Sequence, residues 1–322
     1  MLGDLRKACF LSVFVIVGCS ADDGGGAGSG GGSSFGGSAG AAGSASGGAA
    51  GVASGGAAGS SVGGSAGQST GGTAGSSSGG TGAGGTGGTG GSAGSAALTS
   101  VGSLVVLGDS MSDGGGTPPF YYNLLQQDLK VKFPTLSYKN NAQSGSKTSA
   151  LVGQIKNLPA TLPGPVAVCI TSGGNDMKAE LAAIIGGLDG PARATMGANI
   201  SAALDALLAP GRFGAGVAVH VFEANIYDAS DGQGNFGANN CAFGKGLPAI
   251  PTTTFFANWN GEIAKQVAAK GQYLTDIHGL FLNHGFNHPP NWYASDCTHP
   301  NSTGHDQLRR HFYFKITGET LP

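Results

Sequence analysis

From about residue 99 to the end of the chain, short apolar runs alternate with segments whose apolar residues recur at helical spacing. The runs SLVVLGDS, PVAVCITSGGND, AVHVFEAN and QYLTDIHGLF predict four buried strands, and LSYKNNA predicts a weaker edge strand. Helical spacing occurs in PFYYNLLQQDLKVKF, MKAELAAIIGGL, ARATMGANISAALDALLA, TTTFFANWNGEIAKQVAAKG and NSTGHDQLRRHFYFKITG. Because the two patterns alternate, we expect an α/β domain over residues 99–322, with a mostly parallel sheet covered by helices on both faces.

The preceding part of the chain lacks this pattern and consists largely of Gly, Ser, Ala and Thr. Glycine accounts for 63 of the 322 residues and is concentrated there, and no charged residue occurs between Gly24 and Gly108. A segment with so few large apolar side chains cannot offset the conformational entropy that it would lose on ordering. We therefore predict that residues 19–98 form a disordered linker that tethers the domain.

The N-terminus has the features of an export signal. Arg6 and Lys7 precede the apolar run CFLSVFVIV, which is too short to span a bilayer stably. The run ends at Gly18 and Cys19, and a small residue before cysteine resembles a bacterial lipobox. We predict that residues 1–18 are a lipoprotein signal peptide and that Cys19 is lipidated; a plain secretory peptide is the alternative.

The residue after this cysteine bears on location. It is Ser20 and not Asp, which by resemblance to sorting in enteric bacteria favours the outer membrane. We therefore expect an exported protein that is lipid-anchored at the bacterial cell envelope, on the outer membrane or the cell surface.

Motif matches within the linker have no structural context. GGSAG occurs three times and formally matches the hydrolase motif G-x-S-x-G, and Gly80, Gly82 and Gly85 match G-x-G-x-x-G. None of them follows a predicted strand or begins a predicted helix, so we attribute them to composition. The net charge of -2 and the 11% of charged residues also argue against a nucleic-acid partner.

Polar residues and glycines follow several of the predicted strands, where parallel α/β sheets bind their ligands. Ser110 follows the first run, Gly145 follows the edge strand, and Asn175 follows the run PVAVCITS. Asp296 and His299 lie three residues apart just before the last helix. A serine, a backbone N–H, an amide side chain and an Asp/His pair are the groups that acyl transfer requires.

Each of these groups has a defined role in such a reaction. A serine hydroxyl is a weak nucleophile, and a neutral imidazole can take its proton near neutral pH. Because Asp296 can reach His299 within one tight turn, we predict a triad in which His299 is the base for Ser110. The predicted oxyanion donors are the N–H groups of Ser110 and Gly145 and the side-chain amide of Asn175.

Taken together, these motifs resemble those of the SGNH (GDSL-type) hydrolase family. In the family's order they are GDS at 108–110, Gly145 within NNAQSGSKT, GGND at 173–176 and DCTHPN at 296–301. The resemblance implies a flavodoxin-like, three-layer α/β/α sandwich with a parallel sheet, and it implies the same roles for the residues named above. One departure is that the second block lacks the family's compact Asn-x-Gly.

The first motif has two other interpretations. DSMSDG partly fits a calcium-binding loop, with Asp109, Asp113 and Gly114 at positions one, five and six. Met111 and Phe120 occupy positions three and twelve, where such a loop needs oxygen ligands. A dinucleotide site is also disfavoured, because no G-x-G-x-x-G motif begins at this turn.

The histidines and aromatic residues of NHGFNHPPNWY also admit alternatives. His284 and His288 have metal-ligand spacing, but the segment is rich in Gly, Asn and Pro, so we interpret them as loop histidines. We expect neither a metal nor another cofactor. Phe286, Trp292 and Tyr293 either wall the substrate cleft or pack within their loop, and both interpretations stay open.

The remaining candidates are one histidine and three cysteines. His220 lies within a strand pattern and is interpreted as structural, and Cys169 lies in an apolar strand and is expected to be a buried free thiol. Cys241 and Cys297 both lie in loops. Because export permits oxidation, they are a candidate disulfide that would tie a long loop to the turn with the predicted triad.

These features predict an exported serine esterase that acts through an acyl-enzyme. Carbohydrate or short-chain acyl esters are the favoured substrates, because no segment indicates an apolar lid for long chains. The alternatives are lysophospholipase or lipase activity, and a surface binding module that keeps the fold without catalysis. The expected partners are a small-molecule, polysaccharide or lipid ester and, through the lipid on Cys19, a membrane.

Overall fold

The computed structural model describes residues 94–239, 241 and 248–321. The predicted signal peptide, the lipidation site Cys19 and the greater part of the linker lie outside these residues. The expectations for those segments therefore stay predictions.

Five strands of the described residues form one parallel sheet. They are β1 (Ser103–Gly108), β2 (Ser137–Asn140), β3 (Val166–Thr171), β4 (Val219–Ala224) and β5 (Tyr273–Thr275). Their order across the sheet is β2-β1-β3-β4-β5, and every neighbouring pair is parallel. This is the flavodoxin-like strand order. The connection that follows β1 and the connection that follows β3 run in opposite directions, which leaves a crevice at the carboxyl ends of these two strands.

Helices follow the strands on both sides of the sheet. They are α1 (Tyr121–Lys132), α2 (Leu151–Lys156), α3 (Gly174–Ala179), α4 (Leu181–Ile185), α5 (Gly190–Leu208), α6 (Thr253–Ala269), α7 (Ile277–Phe281) and α8 (Ser302–Thr317). Short 3-10 turns occur at Ser110–Ser112, Thr148–Ala150 and Phe236–Asn239. Within the described ranges, none of the helices has the length and apolar character needed to cross a bilayer.

The sheet is buried on both faces. In β1, Leu104 and Val106 pack in the core that includes α1 and α8, whereas Val105 and Leu107 pack in the core that includes α2, α5 and α6. All four side chains are fully buried, because successive residues of a strand point to opposite faces and both faces are covered. The described residues thus form the predicted three-layer α/β/α sandwich.

Two predicted elements are wrong in extent. QYLTDIHGLF was expected to be one strand, but β5 ends at Thr275, and the Asp276 carboxylate accepts the Gly279 N–H as the N-cap of α7. MKAELAAIIGGL was expected to be one helix. It is two short helices, since Glu180 (φ -103°, ψ 17°) lies outside the helical region between α3 and α4.

Candidate active site

The turn after β1 presents Ser110 at the crevice. The Asp109 carboxylate accepts the Met111 N–H (3.1 Å) and the Thr171 hydroxyl (3.2 Å), so it holds the turn against β3. Gly108 has a φ of 120°, and any side chain there would collide with the Thr171 backbone. The Gly-Asp pair before Ser110 therefore closes a turn that packs directly on the neighbouring strand.

The Asp109 carboxyl is buried beside Ser110. Desolvation by burial raises its pKa to about 6, although the hydrogen bonds from Met111 and Thr171 partly oppose this shift. Behind it, the Ser112 hydroxyl contacts the hydroxyls of Tyr121 (2.6 Å) and Thr171 (2.7 Å). The turn thus rests on a buried polar network whose members satisfy one another.

A continuous chain of hydrogen bonds links Ser110, His299 and Asp296. The Ser110 Oγ lies 2.7 Å from His299 Nε2, and His299 Nδ1 lies 2.5 Å from Asp296 Oδ2. Although partial burial by itself raises the pKa of Asp296, hydrogen bonds from His299 and from the Thr298 N–H lower it to about 2. The Asp296 carboxylate is therefore ionised near neutral pH and can hold the imidazole in one orientation.

Several hydrogen bonds hold the turn that carries His299. The Asp296 Oδ1 accepts the N–H groups of Thr298 and His299 (both 2.9 Å), and the Tyr227 hydroxyl donates to the Thr298 carbonyl. Between them lies Cys297, whose φ of 55° is in the left-handed region. The turn is therefore held both by the neighbouring Asp296 carboxylate and by Tyr227, which lies 71 positions from Thr298 in sequence.

A covalent bond also holds the turn that carries His299. Cys241 and Cys297 form the candidate disulfide, and they lie 56 positions apart in sequence. Both residues are buried. Cys169 is a buried free thiol in β3, as expected, and desolvation raises its pKa.

Asn175 lies at the same cleft as Ser110 and His299. Its side-chain amide donates one hydrogen bond to the Ser146 carbonyl (2.9 Å), which leaves its second N–H for another acceptor. Gly145 precedes Ser146 and has a φ of 75°. The structure therefore brings the second sequence block next to Asn175, but Gly145 does not line the cleft and its role stays a prediction.

The walls of the cleft include residues that the sequence analysis did not identify. Apolar side chains from four separate segments line it beside the triad: Met111, Met177, Ile226, Tyr227, Ala229, Phe236 and Phe256. Ile226 and Tyr227 directly follow β4, so the strand-end rule could have found them. No comparable sequence signal marks Phe236 or Phe256.

The three aromatic residues with two open interpretations do not line this cleft. Trp292 stacks on His284 with ring centroids 3.5 Å apart, and Tyr293 packs against Tyr227 at 5.3 Å. Phe286 packs edge-on to Phe236 at 5.6 Å, so it supports a wall residue from behind. Loop packing therefore describes all three residues.

The other histidines have contacts of their own. His288 Nδ1 lies 2.7 Å from the buried Asp231 carboxylate, and His284 is stacked as described above. His220 lies in β4, where desolvation lowers its pKa, in keeping with a structural position. Asp113, one of the residues in the calcium interpretation, accepts the Ser144 N–H at 2.8 Å.

A family model and several solved structures are similar to this chain. The model of the GDSL-like Lipase/Acylhydrolase family matches residues 106–307. No curated protein sequence matches the chain.

Three of the similar solved structures are described by their identity, TM-score and coverage. An α/β hydrolase from the metagenome of Lake Arreo is 21% identical, with a TM-score of 0.46 and coverage of 69% of this chain and 97% of its own. An extracellular lipase from Streptomyces rimosus is 22% identical, with a TM-score of 0.46 and coverage of 65% of this chain and 97% of its own. An acetyl xylan esterase variant from Geobacillus stearothermophilus is 17% identical, with a TM-score of 0.49 and coverage of 70% of this chain and 99% of its own.

The family match covers both ends of the candidate site, from the β1 turn with Ser110 to the first turns of α8. It therefore spans well over half of the chain, including each sequence block that showed the resemblance. This chain belongs to the GDSL-like lipase/acylhydrolase family, and it is a hydrolase of the SGNH type.

Proposed function

We propose that the protein is a serine esterase that cleaves acyl esters through a covalent acyl-enzyme on Ser110. The observation that carries this proposal is the unbroken hydrogen-bond chain from Ser110 Oγ through His299 to Asp296. A serine with a base in hydrogen-bond contact, and a base held by a carboxylate, is the arrangement that activates a hydroxyl nucleophile.

In the first half-reaction the Ser110 Oγ attacks the ester carbonyl carbon while its proton passes to His299 Nε2. The C–O bond to the alcohol then breaks, and His299 returns the proton to the departing alcohol oxygen. The product is an ester between the acyl group and Ser110. In the second half-reaction water attacks this ester, His299 again transfers the proton, and the free acid and the Ser110 hydroxyl are regenerated.

The negative charge of the tetrahedral intermediates falls on the former carbonyl oxygen. The Ser110 N–H has no acceptor among the described residues, and Asn175 has one N–H to spare. We assign these two groups to the oxyanion, and the Gly145 N–H, which lies outside the cleft lining, is the third donor that the family resemblance implies. Donors that are already oriented need little rearrangement as the charge develops, which is why they lower the barrier.

The test is hydrolysis of p-nitrophenyl acetate by the full mature chain and by Ser110→Ala. We expect the variant to lose at least about a thousandfold in kcat. Ser149→Ala, an exposed serine in the second 3-10 turn, is the matched control and should keep wild-type activity. Equal rates for wild type and Ser110→Ala would reject the assignment, and no hydrolysis by the wild type of any ester tried would favour a binding module.

We further propose that the protein is exported, is lipidated on Cys19 and consists of a linker over residues 19–98 and a hydrolase domain over 99–322. The support is the sequence pattern described above. The test is metabolic labelling with an alkyne fatty acid in a bacterial host. We expect incorporation into the wild type and none into Cys19→Ser, and equal labelling of the two would reject the anchor.

A further inference from the structure

A second cavity adjoins the cleft at Ser110 and lies between helices α3 and α4 and the segment after β4. Four residues line both cavities, namely Met177, Lys178, Phe236 and Phe256. The second cavity contains neither Ser110 nor His299 in its lining. It therefore lies on the side of the cleft away from the reacting groups, and we refer to it as the extension.

The lining of the extension is largely apolar. Besides the shared residues it consists of Leu181, Ile184, Ile185, Gly234, Pro248, Ile250, Thr252 and Phe255. The hydroxyl of Thr252 donates to the Asp228 carboxylate, so this polar group is already engaged. A space bounded in this way favours a hydrocarbon occupant over a sugar, whose hydroxyls would lose their hydrogen bonds to water.

The wall opposite α4 is held in place by hydrogen bonds within the protein. The Asp228 carboxylate accepts the N–H groups of Ser230 (2.8 Å) and Gly232 (2.9 Å), and Gly232 in turn accepts the Thr252 N–H (3.1 Å). A side chain at Gly234 would collide with the Ile250 backbone, so the two arms of this segment lie in direct contact. Preformed apolar walls reduce the ordering cost of binding.

The direction of the extension identifies which part of an ester would enter it. The departing alcohol must lie beside His299, because this residue returns the proton to it. Asn175 and Met177 share helix α3, so the proposed oxyanion donor lies close to the wall that the cleft shares with the extension. With the alcohol on the side of His299, the acyl chain on the other side of the carbonyl carbon would be directed toward Met177.

We infer that the extension is an acyl-chain site and that the preferred substrates carry an apolar acyl chain longer than acetyl. This inference rests on the proposed esterase function and narrows its substrate class. It replaces the short-chain preference expected from the sequence. Each buried methylene should raise kcat/KM by roughly fourfold until the site is full, the ratio that corresponds to about 0.8 kcal/mol.

The first test is the ratio of kcat/KM for p-nitrophenyl octanoate to that for p-nitrophenyl acetate. We expect wild type to favour octanoate by at least about tenfold. Leu181→Trp fills the extension and should reduce the ratio by about tenfold or more. Val131→Trp is the control, because Val131 is 85% exposed on α1 and lies outside both cavities, and it should keep the wild-type ratio.

The possible outcomes distinguish failure of the acyl-chain site from failure of the proposed esterase function. Hydrolysis that depends on Ser110 but shows no preference for octanoate would overturn the acyl-chain site and leave the esterase standing. The same follows if Leu181→Trp and Val131→Trp give equal ratios. If no ester is hydrolysed, or if Ser110→Ala is as active as wild type, the esterase and the acyl-chain site both fail.

A second test needs no turnover. The Ser110→Ala protein should bind 11-(dansylamino)undecanoic acid with a blue-shifted and stronger dansyl emission, because the probe leaves water for an apolar site. Adding Leu181→Trp should weaken binding by about tenfold, whereas adding Val131→Trp should not change it. Circular dichroism of each variant establishes that it is folded, and equal affinities for the two double variants would overturn the site.

Discussion

Gly115 lies against the imidazole of His299. A Cβ atom at this position would be 2.8 Å from His299 Nε2, the nitrogen that contacts the Ser110 hydroxyl. The neighbouring Gly116 is equally confined, since its Cβ would meet the Pro300 carbonyl and, at 3.0 Å, His305 Nε2. Gly115 therefore allows the backbone to lie close to the proposed base, and Gly116 allows it to lie close to Pro300 and His305.

Gly115→Ala should displace the imidazole of His299 from Ser110 and lower kcat by about a hundredfold, because a shift of about 1 Å at a reacting group can cost that much. Steady-state kinetics with p-nitrophenyl acetate measures the effect. Gly153→Ala is the control, since Gly153 lies in α2 with open space around its Cα, and it should keep full activity. A fully active Gly115→Ala would show that this contact does not position His299.

Asn175→Ala should reduce kcat by about 10²–10³-fold with a smaller change in KM, because the lost amide would act mainly in the transition state. The variant also loses the hydrogen bond to the Ser146 carbonyl. Asn141→Ala provides the comparison, since its amide likewise donates to a backbone carbonyl, that of Gln154 (3.1 Å), away from the cleft. Similar losses in both variants would indicate that Asn175 acts through the loop structure alone.

Removal of the disulfide should destabilise the protein and the turn that carries His299. For two cysteines 56 positions apart in sequence, the chain-entropy estimate is about 4 kcal/mol of unfolding free energy. Denaturant unfolding of Cys241→Ala/Cys297→Ala tests the stability, and we also expect kcat to fall about tenfold as the left-handed turn at Cys297 relaxes. Free labelling of both thiols in the native, non-reduced protein would refute the bridge.

His305 should make the free energy of unfolding sensitive to acid. Its side chain is buried in α8 with Nε2 3.0 Å from the Gly115 carbonyl, and desolvation lowers its pKa from 6.5 to about 4. Between these values the unfolded chain binds more protons than the folded one, so this contribution is complete above about pH 6.5 and is lost as the pH falls toward 4.

From neutral pH to about pH 4.5 the loss due to His305 amounts to roughly 2 kcal/mol. Urea unfolding at a series of pH values should therefore show a shallower acid decline for His305→Gln than for wild type. Burial also lowers the pKa of His311 to about 4, so His311 should still cause part of the acid decline in the His305→Gln variant. Parallel curves for the two proteins would contradict the prediction.

Several elements were predictable because their signals are local. The strands β1 and β3 are nearly continuous apolar runs, and burial on both faces favours such runs, whereas β4 is apolar apart from His220 and Glu223. QYLTDIHGLF has the same apolar character, yet Asp276 caps helix α7 within it, so the strand ends at Thr275. Short apolar segments carry too little periodicity to decide between the two.

The sequence by itself determined the α/β architecture and the residues of the proposed site, because apolar periodicity and the residue types at strand ends are encoded within a few neighbouring positions. Only the tertiary structure decided that Ser110 and His299, 189 residues apart, lie 2.7 Å from each other. It also decided that Phe236 and Phe256 line an apolar extension of the cleft. Such contacts depend on how separate segments pack in three dimensions, and no local pattern specifies that packing.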